Sequence, residues 1–292
     1  MPRFHHLQLR DKNMFNINIL KVLIAITTTF YGGIVSYASS NEVNFCSDKT
    51  PPRQAYQNGQ TNAIIAFCPT VKDISIGRDS THKLYSGQWY MRSSPDMSHY
   101  SQSSEGLNIA LGGSLSTVNA HSQPGSLPLI SGANGFYIEF IAKIDNNSKD
   151  HWPALWLNPV EHNANENDRH ITFGQNYQHW MELDVDEGGF QDGMFGTVIE
   201  WYGNHPNYHK KQNAHPKQSL VIDRTQFHTF SAFYDPETHS VTWWLDNNLY
   251  NKTTAPQIGS KLNYYIIMSA QSHGRNIPYK LTVKRVRVFT SK

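Results

Sequence analysis

The chain is poor in charge and nearly free of cysteine. Asp, Glu, Lys and Arg make up 16% of its 292 residues, and Cys46 and Cys68 are its only cysteines. Two cysteines alone do not make a zinc site, and the 15 histidines are scattered singly, without metal-ligand spacing. No zinc or histidine-ligated metal site is therefore expected; a structural Ca²⁺ stays open. The net charge is +2 and no basic block interrupts the body of the chain, which argues against nucleic acid as a partner. Beyond the amino-terminal segment no long apolar period of 3.6 residues appears, and there is no internal repeat. A helical bundle and a solenoid are thereby excluded.

What the chain has is aromatics. They account for 12% of residues, with seven Trp and fifteen Tyr. Flat rings favour strands, and they also stack on the apolar faces of pyranoses. Low charge with many aromatics excludes disorder. From about residue 83 the chain reads as short strands between turns. Examples are Phe136 to Ile144, ended by Asp145-Asn146-Asn147, and Phe227 to Tyr234, followed by Asp235-Pro236-Glu237-Thr238 and a hairpin partner at Val241 to Leu245. This spacing predicts an all-β sandwich or barrel. Residues 39–82 are polar and rich in turn formers. They form a lead-in segment that either wraps the sandwich or acts as a loose linker.

Residues 1–38 have the pattern of a secretory signal. Arg3, Arg10, Lys12 and Lys21 precede the short apolar run Val22-Leu23-Ile24-Ala25-Ile26, and small residues stand at Ser36 and Ala38. A spanning helix needs about 20 predominantly apolar residues, and this stretch is broken by Thr27, Thr28, Thr29, Gly32 and Gly33. A secreted or periplasmic protein with no stable membrane insertion after cleavage at Ala38 is expected; an uncleaved membrane anchor is the alternative. Met14 offers a second start. Export would put Cys46 and Cys68 in an oxidising compartment, where a disulfide between them is expected.

The segment His179-Trp180-Met181-Glu182-Leu183-Asp184-Val185-Asp186-Glu187-Gly188-Gly189 carries the chemistry. In a strand, successive side chains face opposite ways. Met181, Leu183 and Val185 then share a core face, and Trp180, Glu182, Asp184 and Asp186 share the other. Carboxyls crowded on one face raise one another's pKa, which suits a site needing one ionised and one protonated carboxyl. Glu187 is out of phase. A β-bulge would return it to the acidic face, where Glu182 and Glu187 would flank Asp184. Without a bulge, Glu182, Asp184 and Asp186 are the aligned trio. An acidic solvated edge, or a Ca²⁺ site built from the same oxygen donors, is the bland alternative.

These residues resemble glycoside hydrolase family 16, the laminarinase, agarase and carrageenase type of enzyme. The match to its Glu-x-Asp-x-x-Glu form is Glu182, Asp184 and Glu187. Trp152-Pro153-Ala154-Leu155-Trp156-Leu157 is similar to a segment that precedes the catalytic strand in the family. Gly135 to Phe140, the hairpin through Trp243-Trp244-Leu245-Asp246 and the last strand Arg285 to Phe289 follow in the family's order. The resemblance covers roughly residues 83–290. It implies a concanavalin A-like jelly-roll sandwich of two curved antiparallel sheets, spanning 83–292. Glu182 would be the nucleophile, Glu187 the general acid/base, and Asp184 the residue between them that tunes both. The implied activity is retaining endo-hydrolysis of a β-linked polysaccharide, a β-glucan or related galactan, without a cofactor. Members often carry Gly-Thr-x-His after the catalytic strand; here Gly196-Thr197-Val198-Ile199 has no histidine.

By strand parity Trp152 and Trp156 face the site, Trp180 stands beside Glu182, and Trp201 follows on the next strand; these four are the expected sugar-binding residues. Either of Trp152 and Trp156 could instead be core. His273 is either a site residue or a solvated loop histidine. A monomer is expected. A transglycosylase with the same residues, a lectin-like binding module on the same fold, and an exported structural protein with a Ca²⁺-stabilised sandwich stay open as alternatives.

Overall fold

A computed structural model describes residues 45–292 except 78, 87–95, 122, 163–176, 191–192, 205–206 and 214–220. The expected signal segment, both candidate starts and residues 39–44 lie outside the described residues. Among the described residues no helix is long and apolar enough to cross a membrane.

The described chain is built almost wholly of strands. A short helix, α1 (Arg53–Gln57), precedes β1 (Asn62–Phe67). There follow β2 (Ile74–Ser75), β3 (Leu84–Ser86), β4 (Tyr100–Ser103), β5 (Gly106–Ala110), β6 (Ser114–Ser116), β7 (Ile130–Ser131), β8 (Phe136–Ile144) and β9 (His151–Pro159). The second half holds β10 (Tyr177–Glu187), β11 (Thr197–Asn204), β12 (Asn207–Asn213), β13 (His228–Asp235), β14 (Ser240–Leu245), β15 (Asn248–Thr254), β16 (Asn263–Ser272) and β17 (Lys280–Thr290).

They form a jelly-roll sandwich of two large sheets. The eight-stranded sheet runs β15-β14-β13-β8-β17-β5-β4, with β1 added on β17. The nine-stranded sheet runs β12-β11-β10-β9-β16-β6-β3-β2, with β7 on β16. Every pairing is antiparallel except β2 with β3. The core lies between the sheets and follows the period of two. On β8, Phe136, Ile138, Phe140, Ala142 and Ile144 point inward; they meet Leu155, Leu157, Met181, Leu183, Ile266 and Met268 of the other sheet. Apart from Ala142, each such side chain contributes about 1.5–3 kcal/mol by leaving water. On β17 the inward set shifts from Leu281 and Val283 to Val286 and Val288, because a register shift falls between Val283 and Arg285. One extra residue exchanges the two faces of a strand.

The lead-in segment is part of the sandwich rather than a loose linker. β1 pairs with β17, and its Ile65 and Phe67 join the core. Ahead of it, the chain from Phe45 to Gln57 covers the other face of the eight-stranded sheet. There Ala55 of α1 packs with Tyr137, Phe233 and Phe289. Glu139 accepts from Arg287 Nε at 2.7 Å and Arg285 Nη2 at 3.2 Å, and Arg287 Nη1 donates to Asp48 at 2.9 Å and to the Thr50 carbonyl at 2.9 Å. Cys46 and Cys68 are bonded, with Cα atoms 5.0 Å apart, and tie this cover to the end of β1.

Candidate active site

β10 lies between β9 and β11, and its two ladders are out of step. Against β11 it is regular through Asp184 opposite Thr197. Against β9, Asp184 stands opposite Trp156, but Asp186 stands opposite Leu155 and Glu187 opposite Ala154. Val185 is therefore the extra residue of a β-bulge. Beyond it, Asp186 takes the core face with Leu155, and Glu187 takes the outer face with Ala154 and Trp156. Glu182, Asp184 and Glu187 end on one face of the nine-stranded sheet. The strand turns off at once: Gly189 has φ +85°, and a Cβ there would lie 2.4 Å from the His151 carbonyl oxygen.

The alternative trio containing Asp186 is thereby corrected. Asp186 is 2% exposed and points between the sheets. Its carboxylate accepts from Arg224 Nη1 at 2.6 Å and Nη2 at 2.8 Å, and from the Phe195 backbone N–H at 3.1 Å. A carboxylate held this way has no path to the outer face.

Each member of the outer trio has its own donors. Glu187 Oε1 accepts from the Trp152 indole at 3.0 Å. Glu182 Oε2 accepts from the Trp201 indole at 3.2 Å. Asp184 accepts from the Thr197 hydroxyl, which also lies 3.4 Å from Glu187 Oε2, and Asp184 and Glu187 are hydrogen-bonded to each other. From the core side, Trp243 donates to the Asp184 carbonyl at 3.0 Å. Gly196 permits this: a Cβ there would lie 2.3 Å from the Trp243 indole nitrogen.

Burial raises all three carboxyls, and the charge of a neighbouring carboxylate adds to each. Glu182 keeps partial exposure, yet protein surrounds it on most sides. Desolvation, then the charge of Glu187, push it up to about 8, against the opposing Trp201 hydrogen bond and Lys210 charge. Asp184 is held well above the usual carboxylate range by burial and by both glutamates. Glu187 is raised by burial, with the Trp152 and Asp184 hydrogen bonds opposing. Such groups exchange protons as a unit. Burial of this kind favours the neutral form, so a member of the trio can hold a proton and deliver it.

The expected sugar-binding tryptophans separate. Trp152 and Trp156 are half-buried on the outer face. His273 is exposed, yet it stacks on Trp152 at 4.8 Å and contacts the Gly188 carbonyl through Nε2 at 2.9 Å, which holds it beside the ring that bonds Glu187. Phe190, 50% exposed, stands edge-on to both rings. Trp156 packs against the cluster of Val118, Tyr265 and Ile267. Trp180 is corrected: it is 4% exposed, stacked on His162 at 3.6 Å and parallel to Trp201 at 5.7 Å, with Tyr208 edge-on at 4.9 Å. It has the expected parity but no face to offer a sugar. It backs Trp201, which is half-buried and aimed at Glu182. Sequence reasoning misses Thr197, whose segment stands out there only for a missing histidine, and Phe190 and Lys210, whose positions depend on the bulge and the β11–β12 register. Among the described residues no group of three or more His, Cys, Asp or Glu side chains could hold a metal ion.

No family model matches the sequence, and no curated protein matches it. Solved structures similar to it include a glycoside hydrolase family 16 endo-glucanase from Bacteroides ovatus, at 16% identity over 66% of this chain and 86% of that one, TM-score 0.44. Another is the laminarinase from Rhodothermus marinus, at 18% identity over 71% and 90%, TM-score 0.43. A third is a GlcNAcα1-4Gal releasing endo-β-galactosidase from Clostridium perfringens, at 14% identity over 74% and 60%, TM-score 0.46.

Proposed function

We propose that the chain is an exported, retaining endo-β-glycosidase of the family 16 type, acting on a β-linked polysaccharide without a cofactor. The observation that carries this reading is the bulge at Val185. It brings Glu187 to the face of Glu182 and Asp184 and turns Asp186 away, so that two glutamates flank one aspartate in a partly dry, aromatic-lined setting.

Glu182, as the carboxylate, attacks the anomeric carbon. Glu187 gives its proton to the glycosidic oxygen, the bond breaks, and the reducing-end fragment leaves. Water then enters, Glu187 takes its proton, and the hydroxide oxygen attacks the anomeric carbon, freeing Glu182. Asp184 is buried and bonded to both Thr197 and Glu187. It exchanges a proton with Glu187 and thereby sets which partner is charged at each step. Trp152, Phe190 and His273 gather beside Glu187, the side from which the leaving sugar departs. Trp156 lines the floor opposite Asp184.

The test is reducing-end release from laminarin, lichenan, agarose, carrageenan and xyloglucan, with Glu182→Gln as control. Release by the chain and none by the variant supports the reading and names the substrate class. Binding to one polymer without release, equal in both proteins, overturns it in favour of a lectin-like module.

A further inference from the structure

We propose that Lys210, on the edge strand β12, is a positioning residue for Glu182: it holds Trp201 from the solvent side and supplies the counter-charge of the Glu182 carboxylate. This rests on the reading of Glu182 as nucleophile.

Three strands put the residues together. Trp180 on β10 is opposite Trp201 on β11, and Trp201 is opposite Lys210 on β12. Partners in an antiparallel ladder share a face, so all three stand on the face of Glu182. They form a column. His162 lies on Trp180, Trp180 is parallel to Trp201, and the Lys210 ammonium lies 5.5 Å from the Trp201 ring centre. A cation at that distance is attracted to an indole face. The column ends on the ring whose N–H donates to Glu182.

A nucleophile must be an anion, yet Glu182 is crowded by Asp184 and Glu187 from its own strand. β9 and β16 bring Trp156 and Ile267 to this part of the face and no charge. β11 brings Trp201; its Glu200 belongs to the opposite face, where it is 2.8 Å from His179 and stands opposite Lys211. From β12, Lys210 is the cation on the Glu182 face; Lys211 and His209 alternate to the other. Among the described residues Lys210 makes no ion pair with a carboxylate in direct contact, and its charge acts on Glu182 in the direction that favours the anion.

The experiment compares Lys210→Gln, Lys210→Arg and, as a control on the opposite face, Lys211→Gln in the full chain. The acid limb of kcat/KM against pH reports the free enzyme's nucleophile. It should rise by roughly half a unit to one unit in Lys210→Gln, as expected for a lost charge in a partly screened setting. It should return in Lys210→Arg and stay unmoved in Lys211→Gln. In parallel, the ¹³C-labelled carboxyl of Glu182, identified by its loss in Glu182→Gln, is titrated by NMR. That signal should move up by the same amount in Lys210→Gln, with or without turnover, so its behaviour is separable from the fate of the hydrolase reading. Superimposable titrations of Glu182 in the native chain and Lys210→Gln, or equal shifts for Lys210→Gln and Lys211→Gln, would overturn the proposal.

Discussion

Asp186 and Arg224 form a two-pronged ion pair inside the sandwich, at 2.6 and 2.8 Å, while the next residue, Glu187, stands on the opposite face of the same strand. The pair pins the strand where Val185 bulges, because Arg224 also donates to the Gly193 carbonyl at 2.7 Å beyond the turn. Removing one partner leaves a buried charge without its complement. Arg224→Leu should therefore cost about 3–5 kcal/mol of stability. Asp186→Leu with Arg224→Leu should recover much of that loss. Urea unfolding of the two variants checks this, and an undiminished midpoint in Arg224→Leu would mean that the pair does not hold the bulge.

Glu182→Gln keeps the shape of the side chain and its contact with Trp201 but removes the attacking charge. Turnover should fall by roughly a thousandfold or more, since no covalent intermediate can form, while the affinity for polysaccharide is retained. Steady-state kinetics and a binding isotherm on the same polymer measure both. A variant with near-native turnover rules out Glu182 as nucleophile.

Glu187→Gln removes the proton donor. With natural polysaccharide the rate should drop about 10²–10⁴-fold. With an aryl glycoside whose leaving group needs no proton, the first step should be largely spared and the second slowed, so a burst of phenol appears. Rapid-mixing absorbance records it. Equal loss on both substrates would remove Glu187 from the leaving-group role.

The acidic trio makes folding pH-dependent. Glu182 is raised from an ordinary value of 4.5 to about 8 in the folded chain. Between those values the folded state holds a proton that the unfolded state has released. Its contribution is present in full below pH 4.5 and is lost as pH rises towards 8. Asp184 and Glu187 act in the same direction. Glu182→Gln should therefore match the native chain at low pH and exceed it increasingly towards pH 8. Denaturation midpoints across that range test the sign; an advantage that shrinks with pH would contradict it.

Cys46 and Cys68 are 22 residues apart and staple the cover of the eight-stranded sheet. Closing a loop of that size is worth about 3 kcal/mol in the chain-entropy account. Cys46→Ser with Cys68→Ser should lower the melting temperature and expose the segment before β1 to protease first. Catalysis at low temperature should be preserved, because the trio lies on the other sheet. Calorimetry and timed proteolysis with activity measured alongside report all three.

Much of this protein is written in local pattern. The alternation of Phe136, Ile138, Phe140, Ala142 and Ile144 with Tyr137, Glu139, Ile141 and Lys143 determines a strand with one core face, because a period of two leaves one way to bury the first set together. The turn residues around Asp235-Pro236 determine the hairpin in the same way, and the run from Glu182 to Glu187 marks where the chemistry is concentrated. Tertiary structure decided the rest. Whether Asp186 or Glu187 faces outward depends on one extra residue in the ladder with β9, and the ladder is a property of two strands. Trp180 and Trp152 have the parity of site residues alike, yet one is sealed by His162 and Trp201 and the other stays half-exposed, because parity gives a direction and not what already occupies it. Lys210 lies 28 residues after Glu182 in the chain, and only the register of three strands brings its charge to the same face. Short-range pattern follows from the geometry of one strand; the charge state of a buried carboxyl follows from everything packed around it.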